Sequence, residues 1–376
     1  MWKLNKILGF CLLLSACQSG KTIIEGSLKD ANVSRVYLCE VLSEYYGSLK
    51  PIDSVVVVNG KFSMRFDSLT PQLYYLKAGD KAGGLFIEPG KIQVVQGESA
   101  DEKIIWEVRG SASDALYRKY LEEEEIAIYK RISDSLDQLF YVARAADNRE
   151  EMARIKEESI PYYEKGEQNK RKVAQKWADA HKNSPFGAYI YYTRIFNRSS
   201  FPTLERVEQE RQYISTFAPE VQNCVYADKM KQKLNDYAGC AIGAIAPEIQ
   251  GLDTLDQPLK LSDLRGQYVI LDFWNSYCHW CREETPWLKA ALEYFGKEKL
   301  TVLGISSDRF KKNWVDAIHE DQSYWHHLML QKGDDVMDRY CIKGIPHTVL
   351  VDPDGKILAK DFRQKEIIPE LEKWIQ

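Results

Sequence analysis

Two cysteines separated by two residues, Cys278 and Cys281, have the spacing of a thiol pair that can open and close as a disulfide. In disulfide exchange the thiolate is the nucleophile, and a second thiol one helical turn away can resolve the mixed disulfide. Zinc ribbons use the same spacing, but they need a second pair of this kind, and the sequence contains none. The pair therefore predicts thiol-disulfide chemistry.

A buried strand and a helix must position this pair. Residues 267–274 are rich in apolar side chains and predict a strand, and Leu288 and Leu292, four apart, predict the helix that follows. Cys278 then falls at the N-terminus of the helix, where unpaired backbone N–H groups and the helix dipole favour negative charge. A free thiol has a pKa of about 8.5, and we expect the helix end to lower the pKa of Cys278.

The rest of the C-terminal third alternates strand and helix patterns. Strands are predicted at residues 300–306 and within 344–361, and helices at 313–320 and 366–375. Alternation of this kind predicts an α/β domain with a mixed sheet covered on both faces.

Residues 271–286 (LDFWNSYCHWCREETP) resemble the active-site segment of membrane-anchored TlpA- and ResA-type proteins of the thioredoxin superfamily, and residues 344–346 (GIP) match the cis-proline loop of that superfamily. The resemblance implies a thioredoxin-like fold for residues 239–376. It also implies thiol-disulfide oxidoreductase activity with no cofactor beyond the redox-active disulfide of Cys278 and Cys281.

The resemblance further implies how a substrate is held. Pro346 is expected to be cis, and the backbone of Ile345 to pair with the extended chain of the substrate next to Cys278. We expect Trp274 and Trp280 to contact the substrate as well.

Two carboxyl groups stand where related proteins place a buried acid. Asp272 lies six residues before Cys278, as in thioredoxins, and Glu284 lies three after Cys281, as in ResA-type proteins. Burial raises the pKa of a carboxyl group, so either acid could take a proton from Cys281 as that thiol attacks. For Glu284 a solvated position on the helix stays an open alternative.

Two histidines depart from the usual family pattern. His279 and Trp280 replace the more common Gly-Pro or Glu-Pro pair, and His347 follows Pro346 where Thr is common. Positive charge on His279 favours the thiolate and makes the disulfide more oxidising, and a shift of about 30 mV corresponds to about 1.4 kcal/mol. We favour a redox-tuning role for both histidines; a soft-metal site with the two cysteines is the alternative.

The N-terminus predicts export. Two lysines precede an apolar run at residues 7–14, which is much shorter than the roughly 20 residues that span a bilayer. Residues 14–17 (LSAC) resemble a bacterial lipoprotein signal, which implies removal of a signal peptide of residues 1–16 and lipidation of Cys17. We therefore expect a lipid-anchored protein of the bacterial cell envelope whose soluble body faces the periplasm.

Residues 17–110 predict a small antiparallel β-sandwich. They contain about eight short strand patterns with frequent turn signals. Asn59-Gly60 lies between apolar runs at residues 55–58 and 61–66, which predicts a hairpin. This upstream region resembles the one that precedes such domains in a group of anaerobic Gram-negative lipoproteins, where its role is undefined.

Residues 111–238 predict a helical segment of four or five helices. Helical spacing relates four apolar side chains, Tyr129, Ile132, Leu136 and Leu139. Ser184 and Pro185 have the residue types of a helix N-cap and first turn, and Thr203 and Pro219 open further helices. We interpret the aromatic residues that follow Pro185 as core.

The other cysteines carry weaker signals. Cys11 leaves with the signal peptide, and Cys224 and Cys240 flank the start of the thioredoxin-like region, where a structural disulfide is possible. Cys39 and Cys341 are interpreted as small buried hydrophobic residues.

The composition of the chain excludes some classes of protein. The chain has 376 residues, enough for two to three domains, and its 44% of hydrophobic residues excludes a disordered chain. Its formal net charge of −4 gives no sign of a nucleic-acid surface.

The leading hypothesis is a membrane-anchored oxidoreductase that exchanges electrons with protein disulfides, favoured as a reductase by the resemblance and supplied by an upstream membrane electron donor. A thiol peroxidase is an alternative, but Leu271 and Asn275 stand where its Pro and Thr or Ser are needed. Copper delivery through the cysteines and His347, or a binding scaffold built on residues 22–237, is the non-enzymatic alternative.

Overall fold

A computed structural model gives the structure of residues 20–30, 32–41, 48–100, 103–125 and 128–376. The predicted signal peptide and Cys17 lie outside these residues. The chain divides into two compact units, one formed by Met1–Ser199 with Tyr213–Met230 and the other by Ser200–Gln212 with Lys231–Gln376. The domain boundaries predicted from the sequence stay predictions.

The first unit begins with eight strands, in agreement with the predicted β-rich domain. The strands are β1 (Gly20–Ser27), β2 (Arg35–Val41), β3 (Leu49–Val56), β4 (Lys61–Leu69), β5 (Gln72–Ala78), β6 (Lys81–Ile87), β7 (Gly90–Ala100) and β8 (Lys103–Arg109). Alternate residues of β4 are buried and exposed, as expected for a strand with one face on a core. Trp106, Tyr74 and Leu38 are among the fully buried side chains of that core.

The strands form one mixed sheet: most neighbouring pairs are antiparallel, as predicted, and two pairs are parallel, which the prediction did not include. Their order is β3-β2-β5-β6-β8-β7-β1-β4. β1 pairs with β7 in parallel over residues 22–27, and β6 has one parallel pairing with β8, whereas the other neighbours are antiparallel. Local strand patterns identify strands, but they do not fix which distant strand each one joins.

The Asn59-Gly60 turn is present, but it does not join two neighbours in the sheet. Asn59 and Gly60 have φ values of 50° and 71°, and the backbones of Val58 and Lys61 hydrogen-bond to each other across the turn. Beyond this single bridge the two strands part, because β4 pairs with β1 and β3 pairs with β2. The predicted hairpin is therefore confirmed as a turn and wrong as a strand pair.

Six α-helices follow in the described residues, against the four or five predicted. They are α1 (Ala112–Glu125), α2 (Ile128–Ala145), α3 (Arg149–Ala180), α4 (Pro185–Arg194), α5 (Leu204–Ser215) and α6 (Val225–Ala238). The side chain of Ser184 accepts a hydrogen bond from the Phe186 N–H, which confirms the predicted N-cap. Thr203 caps α5 in the same way through the Arg206 N–H.

The apolar face of α2 agrees with the predicted one at Ile132 and Leu136 and departs from it at Leu139. Leu136 and Ala143 are buried against Ile155 of α3, and Phe140 packs on the same cluster, whereas Leu139 is 53% exposed. The side chain of Tyr129 lies outside the described residues. A spacing of three or four residues fits two adjacent faces of a helix, and the packing partner decides which of them is buried.

The second unit contains a seven-stranded sheet with the order β10-β9-β13-β12-β11-β14-β15. Its strands are β9 (Gln250–Leu252), β10 (Pro258–Lys260), β11 (Tyr268–Trp274), β12 (Leu300–Ser306), β13 (His326–Met329), β14 (His347–Val351) and β15 (Ile357–Lys360). Its helices are α7 (His279–Arg282), α8 (Thr285–Phe295), α9 (Lys311–Asp321), α10 (Val336–Arg339) and α11 (Ile367–Leu371). The predicted C-terminal helix over residues 366–375 is thus shorter than expected.

The sheet is mixed and covered on both faces, as predicted. β11 runs parallel to β12, and β14 lies antiparallel on its other side. Leu271 and Phe273 of β11 belong to one apolar cluster, and Ile270 belongs to another that includes side chains of α8 and α11. In the described part of the chain, no helix combines the length and apolar character needed to cross a bilayer.

Candidate active site

The turn between β11 and α7 places Cys278 directly after the buried central strand. The Cys278 N–H donates to the Asn275 carbonyl over 3.1 Å. Cys278 is the N-cap residue of α7, and its sulfur accepts the Cys281 N–H at 3.2 Å. The predicted position of Cys278 at the start of a helix is therefore confirmed, although α7 has only four residues.

Cys278 and Cys281 form a disulfide. The two sulfurs are 1.98 Å apart and the two Cα atoms 5.2 Å apart. The two residues differ in access, because Cys281 is 2% exposed and Cys278 is half-buried. An incoming thiolate therefore reaches the Cys278 sulfur more readily.

A cluster of large side chains lies behind the disulfide. Trp274, Trp314 and Ile318 pack with Cys281, and Ile345 and Cys278 contact the same cluster. The cluster needs a glycine at position 304 of β12. A Cβ atom there would lie 2.3 Å from Nδ1 of His327 and 3.1 Å from Nε1 of Trp274, too close for either ring to stay in place. Trp274 is itself buried and packs with Cys281, so it supports the disulfide on the side away from solvent.

A buried carboxylate that sequence reasoning missed holds the loop before Cys278. Asp308 accepts hydrogen bonds from the Ser276 N–H at 2.9 Å, from the Ser276 hydroxyl at 2.6 Å and from the Ser306 hydroxyl at 2.7 Å. The only sequence signal is a Ser-x-Asp pattern at the end of the second parallel strand. Asp308 thereby fixes the loop from which the reactive sulfur projects.

The loop before β14 borders the disulfide on another side. The Ile345–Pro346 peptide bond is cis, in agreement with the resemblance. Pro346, Trp280 and Glu284 line a cavity of about 300 Å³, together with residues 363–366. Trp280 is 65% exposed, so its ring is available at the surface beside the disulfide.

The two predicted carboxyl groups are both buried. Asp272 lies in the middle of β11, opposite Thr348 of β14, and its Oδ1 atom has no hydrogen-bond partner among the described residues. Burial, with a smaller contribution from the negative charge of Glu284, raises the pKa of Asp272 to about 7.

Glu284 is 1% exposed, so the alternative of a solvated helix residue is wrong. Its Oε2 atom accepts the Gln364 N–H at 2.7 Å. Burial raises its pKa, and this hydrogen bond opposes the rise. Glu284 also lines the cavity beside Pro346.

The two histidines lie in different environments. His279 is exposed, and its Nε2 atom is 3.2 Å from Oε1 of Glu283, so a carboxylate faces any positive charge on the ring. Burial lowers the pKa of His347 to about 4, although Asp361, 3.6 Å from its Nδ1 atom, acts in the opposite direction. His347 is therefore neutral near pH 7. Nowhere in the described ranges do three or more His, Cys, Asp or Glu side chains converge as a metal-binding group.

The remaining cysteines are not arranged as the sequence suggested. Cys224 and Cys240 are both reduced thiols, so the structural disulfide considered between them is absent. Cys39 is buried, as expected, whereas Cys341 is half-buried.

Two known families match this chain. Residues 242–360 match the AhpC/TSA family, and residues 22–117 match a domain of unknown function, DUF4369. Together with the fold, the first match confirms the thioredoxin-like domain expected from the motifs.

Individual relatives match the same C-terminal part. The thiol-disulfide oxidoreductase ResA of Geobacillus thermodenitrificans is 26% identical over 133 residues, which are 35% of this chain and 74% of that protein. ResA of Bacillus subtilis is 29% identical over 119 residues, 31% of this chain and 64% of that protein. The solved thioredoxin domain of a thiol-disulfide oxidoreductase from Bacteroides vulgatus is 44% identical with a TM-score of 0.35, and the match covers 36% of this chain and 99% of that one.

Proposed function

We propose that this chain, whose residues 242–360 form a thioredoxin-like domain of the AhpC/TSA family, is an oxidoreductase that exchanges electrons with protein disulfides through Cys278 and Cys281. One observation carries the proposal: the disulfide has one accessible and one buried sulfur, next to a cis-proline loop. The names of the ResA relatives support the same activity.

The reaction in the reducing direction has two exchange steps. The Cys278 thiolate attacks one sulfur of the client disulfide, a new S–S bond joins enzyme and client, and the other client sulfur leaves as a thiolate. The Cys281 thiolate then attacks the Cys278 sulfur, which releases the second client thiolate and restores the Cys278–Cys281 disulfide. Two electrons pass to the client, and an upstream membrane donor must return two electrons to the pair.

The buried carboxyl groups support a role in the second step. Cys281 must lose its proton to attack, and it is nearly inaccessible to solvent. Asp272, with its pKa raised to about 7, is ionised in a useful fraction of molecules near neutral pH and can accept that proton directly or through a water molecule. Glu284, which is buried and lines the cavity beside Pro346, can pass the proton on towards that cavity.

The surface beside Cys278 supports an extended peptide as substrate. Trp280 offers an exposed aromatic face, and Ile345 packs on the cluster that contains both cysteines. We propose that Ile345 and Pro346 align the client chain and that Trp280 packs on it. The buried ring of Trp274 packs with Cys281 and so helps to hold the disulfide in place.

Single cysteine variants test the activity in an insulin-reduction assay driven by dithiothreitol. Cys278→Ser is expected to remove the catalysed rate, because no accessible sulfur remains, and Cys281→Ser is expected to accumulate a mixed disulfide with the client. Cys39→Ala, a buried thiol in the N-terminal sheet, serves as the matched control. An unchanged rate in Cys278→Ser contradicts the proposal.

The direction of electron flow follows from the reduction potential of the pair. The resemblance to TlpA- and ResA-type proteins supports a reductase. A potential near about −270 mV, measured against glutathione buffers, agrees with this direction, and one near −120 mV makes the protein an oxidant instead.

We also propose that Cys17 is lipidated and anchors the protein in the bacterial cell envelope with its body in the periplasm. The support is the sequence of residues 1–17. In the producing bacterium, Cys17→Ala is expected to move the protein from the membrane fraction to the soluble fraction and to abolish labelling by a fatty-acid analogue. Retention of both in the variant contradicts the proposal.

A further inference from the structure

A buried histidine that takes no part in the proposed reaction lies behind the disulfide. His327 is the second residue of β13, is 5% exposed and stands opposite Gly304 of β12 in the register of the sheet. Its Nε2 atom is 2.8 Å from the Ser323 carbonyl oxygen, which can only accept, so Nε2 carries the hydrogen and donates it. Burial lowers the pKa of His327 to about 4, so the ring is neutral near pH 7 and its Nδ1 atom is an acceptor.

Two complementary polar atoms lie close together here without a partner. Among the described residues, neither Nδ1 of His327 nor the indole Nε1–H of Trp274 has a hydrogen bond, although both are buried. Both atoms surround the point where a Cβ atom of residue 304 would stand, Nδ1 at 2.3 Å and Nε1 at 3.1 Å. An indole N–H can only donate, so one atom offers what the other lacks. Leaving both unsatisfied in the interior costs free energy.

Aromatic packing keeps the histidine ring in this place. The rings of His327 and Trp274 have centroids 5.7 Å apart, and Trp325 stacks on His327 with 5.6 Å between centroids. Trp314 packs edge-on against the same ring at 6.5 Å. The Nε2 hydrogen bond to Ser323 fixes the remaining freedom, so Nδ1 is held near Trp274.

One water molecule is enough to join the two atoms. Hydrogen bonds of about 2.9 Å on each side of a water span up to about 5.8 Å, which covers two atoms this near to one point. Such a water accepts Nε1–H of Trp274 and donates to Nδ1 of His327. Internal waters typically bind buried polar groups that have no other partner.

Trp274 connects this bridge to the redox pair. Trp274 packs with Cys281, and Cys278 contacts the same cluster. This packing is present in the disulfide form, whereas the two sulfurs must move apart in the dithiol. A fixed position of the indole therefore stabilises the disulfide relative to the dithiol.

We propose that His327 is a positioning residue for the Cys278–Cys281 disulfide, whose Nδ1 atom holds the indole of Trp274 against Cys281 through one bound water molecule. The inference rests on the proposed function only in taking this pair as redox-active. It adds a residue that acts through Trp274 and sets how readily the pair is reduced.

Two amide variants separate the roles of the two ring nitrogens. His327→Gln can still donate to the Ser323 carbonyl, but it has no acceptor where Nδ1 stands. His327→Asn has an amide oxygen near the Nδ1 position, but it loses the donor to Ser323. Titration of the full chain with reduced and oxidised glutathione, without any client, gives the exchange equilibrium of the disulfide.

His327→Gln is expected to shift this equilibrium towards the dithiol by at least about threefold, and His327→Asn to leave it within about twofold of the wild type. His326→Gln, at the exposed neighbouring position, is the matched control and should not change it. A role of His327 that is only structural, through Ser323, predicts the larger shift in His327→Asn. That order, or an unchanged equilibrium in His327→Gln, overturns the proposal.

Nuclear magnetic resonance of the wild type tests the bridge without relying on a variant that folds. With isotope-labelled histidine, the His327 ring is expected to carry hydrogen on Nε2 and none on Nδ1 at pH 7. With labelled tryptophan, Nε1–H of Trp274 is expected to show a cross-peak to a long-lived bound water. Hydrogen on Nδ1, or no such cross-peak, overturns the proposal. None of these measurements uses a client, so a failed insulin assay contradicts the proposed function and leaves this result intact.

Discussion

At the scale of single residues, the most unusual group is the carboxyl of Asp272 in the centre of β11. It is 4% exposed, and apolar residues stand on both sides of it in the strand. A buried carboxylate loses its hydration, and here the negative charge of Glu284 adds to the cost. The fold therefore carries an acid that is expensive to ionise, two residues before Trp274, which packs with Cys281.

Asp272→Asn is expected to stabilise the fold increasingly as the pH rises. The pKa of Asp272 is about 7 in the folded protein, above its ordinary value of 3.8, so the folded state holds its proton more tightly than the unfolded state does. The native protein therefore loses stability between pH 4 and pH 7, by roughly 4 kcal/mol in all, and the variant does not. Urea unfolding at pH 5 and pH 8 measures the difference.

Asp67→Asn, at an exposed position of β4, is the control and should follow the wild type at both pH values. The rate of client reduction by the wild type is expected to rise near pH 7, as Asp272 ionises. Asp272→Asn is expected to lack this rise. Equal stability gains at pH 5 and pH 8 would show that the carboxyl is not held in its neutral form.

Residue types and local spacing pointed to Cys278 and Cys281, and the resemblance to thioredoxins and ResA-type proteins pointed to the two carboxyl positions. They were not enough for Asp308, because its partner Ser276 lies 32 positions away in the chain. Only the order of strands in the sheet brings such residues together. The exposed fraction of His279 and the buried state of His347 also follow from packing and not from sequence.

At the scale of elements, the site depends on how β11 and β12 end. Both strands are parallel and in register from Tyr268 opposite Leu300 to Trp274 opposite Ser306. The residues after each strand therefore meet at one edge, where Asp308 after β12 binds Ser276 after β11. Arg282 of α7 adds a second anchor by pairing with Asp321 at the end of α9, at 2.6 Å.

Asp308→Ala is expected to lower the rate of client reduction by about tenfold, through its effect on the loop that carries Cys278. The Ser276 N–H and hydroxyl lose their acceptor, and an unpaired buried polar group costs about 1–3 kcal/mol. The insulin assay gives the rate, and glutathione titration gives the reduction potential of the Cys278–Cys281 pair.

If Asp308 positions the loop, Asp308→Ala must change the rate of client reduction or the reduction potential of the Cys278–Cys281 pair while the variant is still fully folded. Asp308→Asn, which keeps one acceptor oxygen, should fall between the wild type and the alanine variant. Asp256→Ala, on an exposed turn, is the control. If Asp308→Ala only unfolds more readily, with the rate and the potential unchanged, the role is structural.

Element prediction succeeded where a pattern was long and periodic, and failed where it was short. β12 was predicted with its observed bounds, since all seven of its residues are buried in a parallel sheet. β13 was missed because His326–Met329 has only four residues and no alternation. The C-terminal helix was predicted too long because the chain after Leu371 continues without a regular helix.

At the scale of the whole molecule, the second compact unit begins well before the recognisable family match. It includes Ser200–Gln212 and the chain from Lys231, whereas the match to the AhpC/TSA family begins at residue 242. Two backbone hydrogen bonds connect these parts, from the Ile242 N–H to the Pro202 carbonyl at 2.8 Å and from the Leu204 N–H to the Ile242 carbonyl at 3.2 Å.

A protein that begins at Gly239 is therefore expected to unfold at a lower urea concentration than one that begins at Ser200. The shorter protein loses both of these hydrogen bonds and the packing of Leu234 and Val207, which are fully buried. Tryptophan fluorescence, which reports on Trp274 and Trp314, follows unfolding in both. Equal midpoints would place the stable boundary at residue 239, as the sequence predicts.

The bridge between Val58 and Lys61 bears on how readily the N-terminal sheet can aggregate with other chains. β3 and β4 are the two outermost strands of their sheet, and an outer strand with unpaired backbone groups can recruit another chain into an aggregate. Here both outer strands are brought together at the Asn59-Gly60 turn, and Pro51 removes one backbone donor from β3. The turn therefore closes the two outer strands where they meet at residues 58–61, and Pro51 interrupts the row of backbone donors along β3.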